Sequence, residues 1–131
     1  MKAVFQALYT KFAADTNFKN AVNSQFYPSF ADQERATFPY AVYWLITDSS
    51  DWTFTEDIEV LTVQISIFDD ENSPNRVLTA FEYLKTLFDD AILSVTGYSF
   101  VRMHRHDMNM IRDEVMGTWH VSVDYEIEIR K

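Results

Sequence analysis

Residues 59–68 alternate between polar and apolar side chains, and this stretch constrains the fold more than any other in the chain. Apolar residues stand at every second position, which is the period of a strand with one buried face. They are Leu61, Val63, Ile65 and Ile67, separated by Thr62, Gln64 and Ser66. The alternation therefore predicts a strand with one face in the core and a polar opposite face.

An acidic turn at residues 69–72 ends this strand, and a helix pattern follows it. Ser73 and Pro74 suit a helix start, because a serine hydroxyl can accept a free backbone N–H and proline fits the first helical position. Apolar side chains then recur at helical spacing at Val77, Phe81, Leu84 and Phe88. Such a helix has one apolar side, so it is predicted to lie on one face of a sheet.

The first 28 residues predict one more long helix and two short elements. Residues 2–14 carry an apolar stripe at helical spacing, and residues 15–22 predict a further helical turn. Phe26 and Tyr27 precede Pro28, whose ring disfavours helical backbone in the residue before it. A short strand or extended segment is expected there.

Residues 40–47 carry apolar side chains on both faces, with Tyr43 and Leu45 on the second face. A strand of this kind is covered on both sides. Because the helices can cover only one face of a single sheet, the other cover is expected to be a loop or another subunit. Residues 48–55 predict a mobile hairpin loop with Trp52 and Phe54 as aromatic contact residues.

The last third of the chain predicts a long hairpin. Residues 98–112 form one strand with a polar centre, residues 113–117 form the turn, and residues 119–129 alternate more regularly than any other stretch. The polar positions of this last strand include Asp124, Glu126 and Glu128. Together the elements predict a single α+β domain over residues 1–131, with a roughly four-stranded, mostly antiparallel sheet and two amphipathic helices on one face.

Composition excludes several classes of protein. Twenty acidic and 11 basic residues leave a formal net charge of −9, which repels a phosphate backbone and argues against specific nucleic-acid binding. No cysteine is present, so no disulfide or thiol chemistry is expected. No apolar run is long enough for a membrane helix. The 11 Phe, 7 Tyr and 3 Trp exceed what a small core commonly needs, which indicates protein contacts.

Three histidines are the obvious candidates for metal ligands. A hairpin that turns near Val115 places His104 and His106 opposite Glu126 and Asp124, and His120 opposite Met110. His120 is then several rungs from the other two, too far to share one ion, so no metal site is predicted. Opposite charges on a solvated sheet face are the preferred interpretation.

Paired carboxylates do not form a convincing catalytic centre either. Asp69 with Asp70 and Asp89 with Asp90 are adjacent in sequence, and adjacent side chains point apart on a strand or helix. The chain also has no nucleophile elbow and no zinc-binding helix motif. No catalytic residue and no cofactor are predicted.

Five segments, in this order and spacing, resemble the tail-completion proteins of long-tailed bacteriophages and prophages, also called tail-terminator or head–tail joining proteins. They are Ala-Leu-Tyr at 7–9, Phe-Tyr-Pro at 26–28, Phe-Pro-Tyr-Ala-Val-Tyr at 38–43, Val-Gln-Ile-Ser-Ile-Phe-Asp at 63–69, and Gly-Thr-Trp-His-Val-Ser-Val-Asp-Tyr at 117–125.

The resemblance implies a virion structural protein without catalytic activity. It would form a ring, commonly sixfold, that caps the finished tail tube and contacts the tube protein and the head connector proteins. Its place would be the tail or neck of the virion, after assembly in the host cytoplasm.

Two sets of residues are candidate sites under this interpretation. Tyr43, Leu45, Trp52 and Phe54 are candidate subunit or partner contacts, and Asp124, Glu126 and Glu128 are a candidate acidic lining for the ring lumen. The alternative is a small α+β enzyme or ligand-binding domain that uses the sheet face of His104 and His106. A self-contained host interaction module is a third possibility.

Overall fold

A five-stranded sheet is the frame of the protein, in a computed structural model that describes residues 2–28, 37–52 and 57–131, with residues 51 and 52 as backbone only. The strands lie side by side in the order β1-β2-β3-β5-β4. Their bounds are β1 Phe26–Pro28, β2 Tyr40–Trp52, β3 Asp57–Asp69, β4 Ser99–Asp113 and β5 Thr118–Arg130. β1 runs parallel to β2, and all other neighbours are antiparallel.

Three helices cover one face of this sheet: α1 Lys2–Ala13, α2 Asn17–Ala21 and α3 Asn75–Phe88. The main core forms where their apolar sides meet the alternating apolar positions of β3 and β5. Leu61, Ile65 and Ile127 are fully buried there, as the sequence alternation predicts. Within the described residues, no helix is both long and apolar enough to cross a membrane.

The class and most elements agree with the sequence prediction, but three details of it are wrong. The sheet has five strands rather than four, because residues 26–28 pair with Ala41, Val42 and Tyr43 as a parallel edge strand. The helices number three in the described chain rather than two, because the helical turn predicted at residues 15–22 is confirmed as the helix Asn17–Ala21. β2 also continues to Trp52 where the sequence predicted a loop from residue 48.

The turn between β3 and α3 is held by a buried carboxylate. Asp69 is fully buried, and the guanidinium of Arg76 donates to both of its oxygens, with Nε at 3.0 Å from each. The hydrogen bond to Asp69 raises the pKa of Arg76. Ser73 Oγ accepts a hydrogen bond from the backbone N–H of Asn75 at 3.3 Å, but the helix begins at Asn75 with Pro74 as its N-cap, one residue later than the sequence predicted. The ion pair between Asp69 and Arg76 connects the end of the central strand to the first turn of α3.

Candidate functional site: the open sheet face and its two edges

The face of the sheet opposite the helices carries a strip of neighbouring rings, defined here as the aromatic strip: Phe38, Tyr40, Phe68 and His120. Ring centroids are 5.3 Å apart for Phe38 and Tyr40, 5.3 Å for Tyr40 and Phe68, and 4.3 Å for Phe68 and His120. The strip crosses β2, β3 and β5, and no helix or strand of the described chain lies over it. Tyr40 is only 8% exposed and the other three rings are half-buried, so the strip is a small packed cluster whose partly exposed ring surfaces are suited to a protein contact.

His120 has an unsatisfied polar atom in this strip. Its Nε2 is buried and has no hydrogen-bond partner in the described part of the protein, and the same holds for Ser66 Oγ on the neighbouring strand. Burial lowers the pKa of His120, because an imidazolium would lose its hydration there. The stacked ring is therefore neutral at physiological pH.

The candidate lumen residues form the polar half of the same face. Asp124, Glu126 and Glu128 are half-buried, since neighbouring side chains flank them on both adjoining strands. Asp124 accepts a hydrogen bond from Gln64 Nε2 at 3.0 Å. Arg102 of β4 lies 3.1 Å from Glu128 and 3.8 Å from Glu126. The structure thus brings the three acids onto one face, where Arg102 pairs with two of them.

The four candidate contact residues lie in different environments. Tyr43 is 3% exposed and packs against Phe26 at 4.2 Å and Phe5 at 5.0 Å between ring centroids. Burial, followed by the proximity of Tyr9, raises the pKa of Tyr43. Leu45 is exposed, and it lies two residues after Tyr43, the last residue of β2 that pairs with β1. The side chain of Trp52 and all of Phe54 lie outside the described residues.

Beyond Tyr43, β2 continues past the end of β1 and pairs with β3 alone, and this end of the β2–β3 hairpin is defined here as the arm: residues 44–52 and 57–60. On its other side β3 still pairs with β5, so only the β2 strand of the arm is a free edge in the described chain. Every described side chain of the arm from Leu45 to Ser50 is exposed. The arm carries Asp48, Asp51, Asp57 and Glu59 and no basic residue. A hydrogen bond with Asp48, together with burial, raises the pKa of Glu59.

The register of β4 against β5 separates the two histidines of the alternative enzyme hypothesis. His104 lies opposite Glu126, which confirms the predicted pair. The predicted pairs of His106 with Asp124 and of His120 with Met110 are wrong, because a bulge at His106 puts Asp107 opposite Asp124 and Ile111 opposite His120. Among the described residues, no group of three or more His, Asp or Glu is placed to hold a metal ion.

An apolar groove of about 1160 Å³ lies on the helix side, between α1 and residues 92–96. Phe5, Tyr43 and Leu93 line it, and Lys2 and Lys11 supply its only charges among the lining residues. Neither His104 nor His106 contributes to this groove, so it gives no support to chemistry at those histidines.

Sequence reasoning missed the aromatic strip, although one signal was present. The positions of β3 that face away from the helices are the polar residues Thr62, Gln64 and Ser66, followed on the same face by Phe68. An aromatic ring in the polar phase of an otherwise regular alternation indicates a second apolar contact on the open face. Its partners Tyr40 and His120 could be found only once the strand register was known.

Comparisons with known proteins agree with this architecture. The family model described as tail completion protein gp17 matches residues 6–130. Among solved structures, the fold is similar to a chain of the virion of a native gene transfer agent particle, with a TM-score of 0.80 and 15% sequence identity. That match covers 96% of this chain and 93% of the other. A search of curated proteins found no match. The extent of the family match shows that this chain belongs to the gp17 family of tail completion proteins, and that it is a structural protein of phage-like virions.

Proposed function

We propose that the protein closes the end of the phage tail tube as a ring of identical subunits, commonly six, and joins the tube to the head connector. The observation that carries this proposal is the family match over residues 6–130. The similarity to a virion chain supports it at the level of the fold. The role is structural, without catalysis or a cofactor, and the site of action is the neck of the virion, after assembly in the host cytoplasm.

The surfaces of the subunit fit a protein that works in an assembly. The aromatic strip leaves partly exposed rings without a covering helix or strand in the described chain, and β2 of the arm has one free edge there. Both features favour association over an isolated domain, since partly exposed rings and free strand edges promote contact with other chains. In a neck complex they supply contacts to the tube protein, the connector proteins or the next subunit. Leu45, Trp52 and Phe54 are the proposed contact residues at the arm, whereas Tyr43 at its base is buried in the core of its own subunit.

Asp124, Glu126 and Glu128 are proposed to face the lumen through which DNA passes. A lining of carboxylates repels phosphate and holds no stretch of DNA in place. The net charge of −9 supports this arrangement without assigning the acids to one surface, because acids also keep an outer surface hydrated.

The test is deletion of the gene from the phage-like genome that encodes the chain, followed by electron microscopy of the particles. We expect DNA-filled heads and separate tails, and we expect purified wild-type protein to restore joined, infectious particles when it is added to the lysate. Joined particles in the deletion strain would refute the proposed function.

A further inference from the structure

We infer that the free edge of the arm in one subunit pairs with the β4 edge of the next subunit, so that the ring is closed by a head-to-tail contact between two different edges of the sheet. The inference rests on the proposed ring and names the surfaces that build it.

Both edges are open in the described chain. β1 covers β2 only at Ala41, Val42 and Tyr43, so residues 44–52 have a strand on one side alone. β4 is 15 residues long and pairs with β5 alone. Each open edge presents backbone N–H and C=O groups that can accept another strand.

The two edges carry opposite charge. The arm has four acidic residues and no basic one, with Asp48 and Asp51 on the edge strand β2 and the other two on the neighbouring β3. The facing half of β4, residues 99–106, has Arg102, His104, Arg105 and His106 and no acidic residue. Arg102 and Arg105 each contact acids of their own subunit, at 3.1 Å for Glu128 and 3.4 Å for Asp89. Arg102 is still 58% exposed, and a guanidinium has five N–H donors, so it can bind a second carboxylate.

This charge pattern selects the kind of contact. Two arms side by side would bring eight acids together, and two β4 edges would bring their arginines together, so contacts between identical edges are repelled. The arm against β4 is attractive. A contact between two different surfaces is heterologous, and a heterologous contact builds a ring of more than two subunits when its rotation closes, as the proposed tail ring requires.

The acidic arm and the basic half of β4 also lie at the same position along the strand direction. Following the register across the sheet places Ser49 level with Val60, Glu128 and Arg102, and Thr47 level with Thr62, Glu126 and His104. Rotation about an axis parallel to the strands does not change the position of a residue along that axis. In a ring built on such an axis, the acidic arm of one subunit therefore meets the basic half of β4 in the next, and the two strands run antiparallel.

Exposed apolar side chains mark both edges. Ile46, 48% exposed, stands at the bulge of β2, and Val101, 45% exposed, stands at the first bulge of β4. Neither packs in the core of its own subunit, so substitutions there are expected to leave the fold intact. They are suitable positions for placing a charge in the proposed contact.

The experiment compares Val101→Asp and Ile46→Lys with the matched controls Val101→Lys and Ile46→Asp, by sedimentation velocity over a concentration series. Asp at position 101 faces the acidic arm and Lys at position 46 faces the basic half of β4, so each should raise the concentration needed for association by about tenfold or more. The controls carry the opposite charge and should associate at least as well as wild type. Circular dichroism should show equal thermal transitions for all four variants.

An equimolar mixture of Val101→Asp and Ile46→Lys provides the decisive comparison. Each variant keeps the edge that the other has lost, so the mixture should recover association that neither variant shows alone. If Val101→Asp and Ile46→Lys both form rings as readily as wild type, the edge contact is overturned, while the proposal of a ring still stands. A wild-type chain that stays monomeric throughout the series would overturn both the ring and the edge contact, while restoration of joined particles by that chain would still support the role in tail completion.

Discussion

Tyr125 donates a 2.6 Å hydrogen bond to Asp89, and this bond connects the central part of β5 to the end of α3. The ring of Tyr125 is fully buried, while Asp89 also lies 3.4 Å from Arg105 of the edge strand. Burial, followed by the hydrogen bond to Asp89, raises the pKa of Tyr125. Three elements that are distant in sequence therefore meet at one carboxylate.

Replacing Tyr125 by Phe should lower the free energy of unfolding by about 1–2 kcal/mol, because the ring keeps its packing while Asp89 loses a buried donor. Urea denaturation is the measurement. Tyr83→Phe is the matched control, since Tyr83 is exposed on α3 and its variant should unfold like wild type. An equal loss in both variants would contradict a specific role for the Tyr125 hydroxyl.

Stability should fall as the pH drops below about 6.5, the ordinary pKa of histidine, because the pKa of His120 is lowered in the folded state. The unfolded chain binds a proton in that range before the folded chain does, so acid favours unfolding. Phe68 and Ile111, the neighbours of His120 across the sheet, carry no charge that would offset this effect.

His120→Phe should flatten this pH dependence while keeping a ring stacked on Phe68. Urea midpoints at pH 7.5 and pH 5.5 provide the comparison, with His106→Gln as a control at an exposed position. A His120→Phe variant that loses as much stability between these two pH values as wild type would show that other groups cause the acid sensitivity.

Tyr43 and Leu45 should respond differently to a negative charge, although they lie two residues apart. Tyr43→Asp puts a carboxylate into the core between Phe5 and Phe26 and should destabilise the monomer by more than about 3 kcal/mol. Leu45→Asp changes a partly exposed side chain and should leave unfolding within about 1 kcal/mol of wild type. Thermal unfolding together with oligomer size separates the two effects. A folded Tyr43→Asp monomer that no longer associates would instead place Tyr43 in the subunit contact.

Trp52→Ala with Phe54→Ala is expected to reduce tail completion and to change the free energy of unfolding by no more than about 1 kcal/mol. Two large aromatic residues in an acidic stretch favour a partner contact over hydration. Infectivity and thermal unfolding are the paired measurements. A strong loss of thermal stability would assign both rings to the core.

Asp124→Lys with Glu126→Lys, in particles that assemble normally, should slow genome ejection in a salt-sensitive way if these acids line the lumen, because lysines hold passing phosphate. Glu82→Lys is the control, since it makes the same acid-to-lysine replacement at one position of α3, which lies on the other side of the sheet. Unchanged ejection from intact rings would place the acids on the outer surface.

The sequence alone determined the elements whose signal is local. Side chains on a strand alternate between two faces, so the alternation in 59–68 and 119–129 was sufficient to predict β3 and β5 and their buried residues. The one-sided pattern of 75–88 was sufficient in the same way for α3, and the ordered segments together were sufficient for the family.

Only the tertiary structure decided which strands are neighbours and which residues share a rung. Residues 26–28 join the sheet as a parallel edge strand because Phe26 stacks on Tyr43, a contact between distant parts of the chain. One bulged residue at His106 shifts the register, and because the side-chain period of a strand is two, that shift changes which side chains face each other. The local sequence pattern does not show that a bulge adds one residue to β4 at this point. The aromatic strip and the level match between the arm and β4 depend on these long-range pairings, so neither could be predicted before the strands were placed.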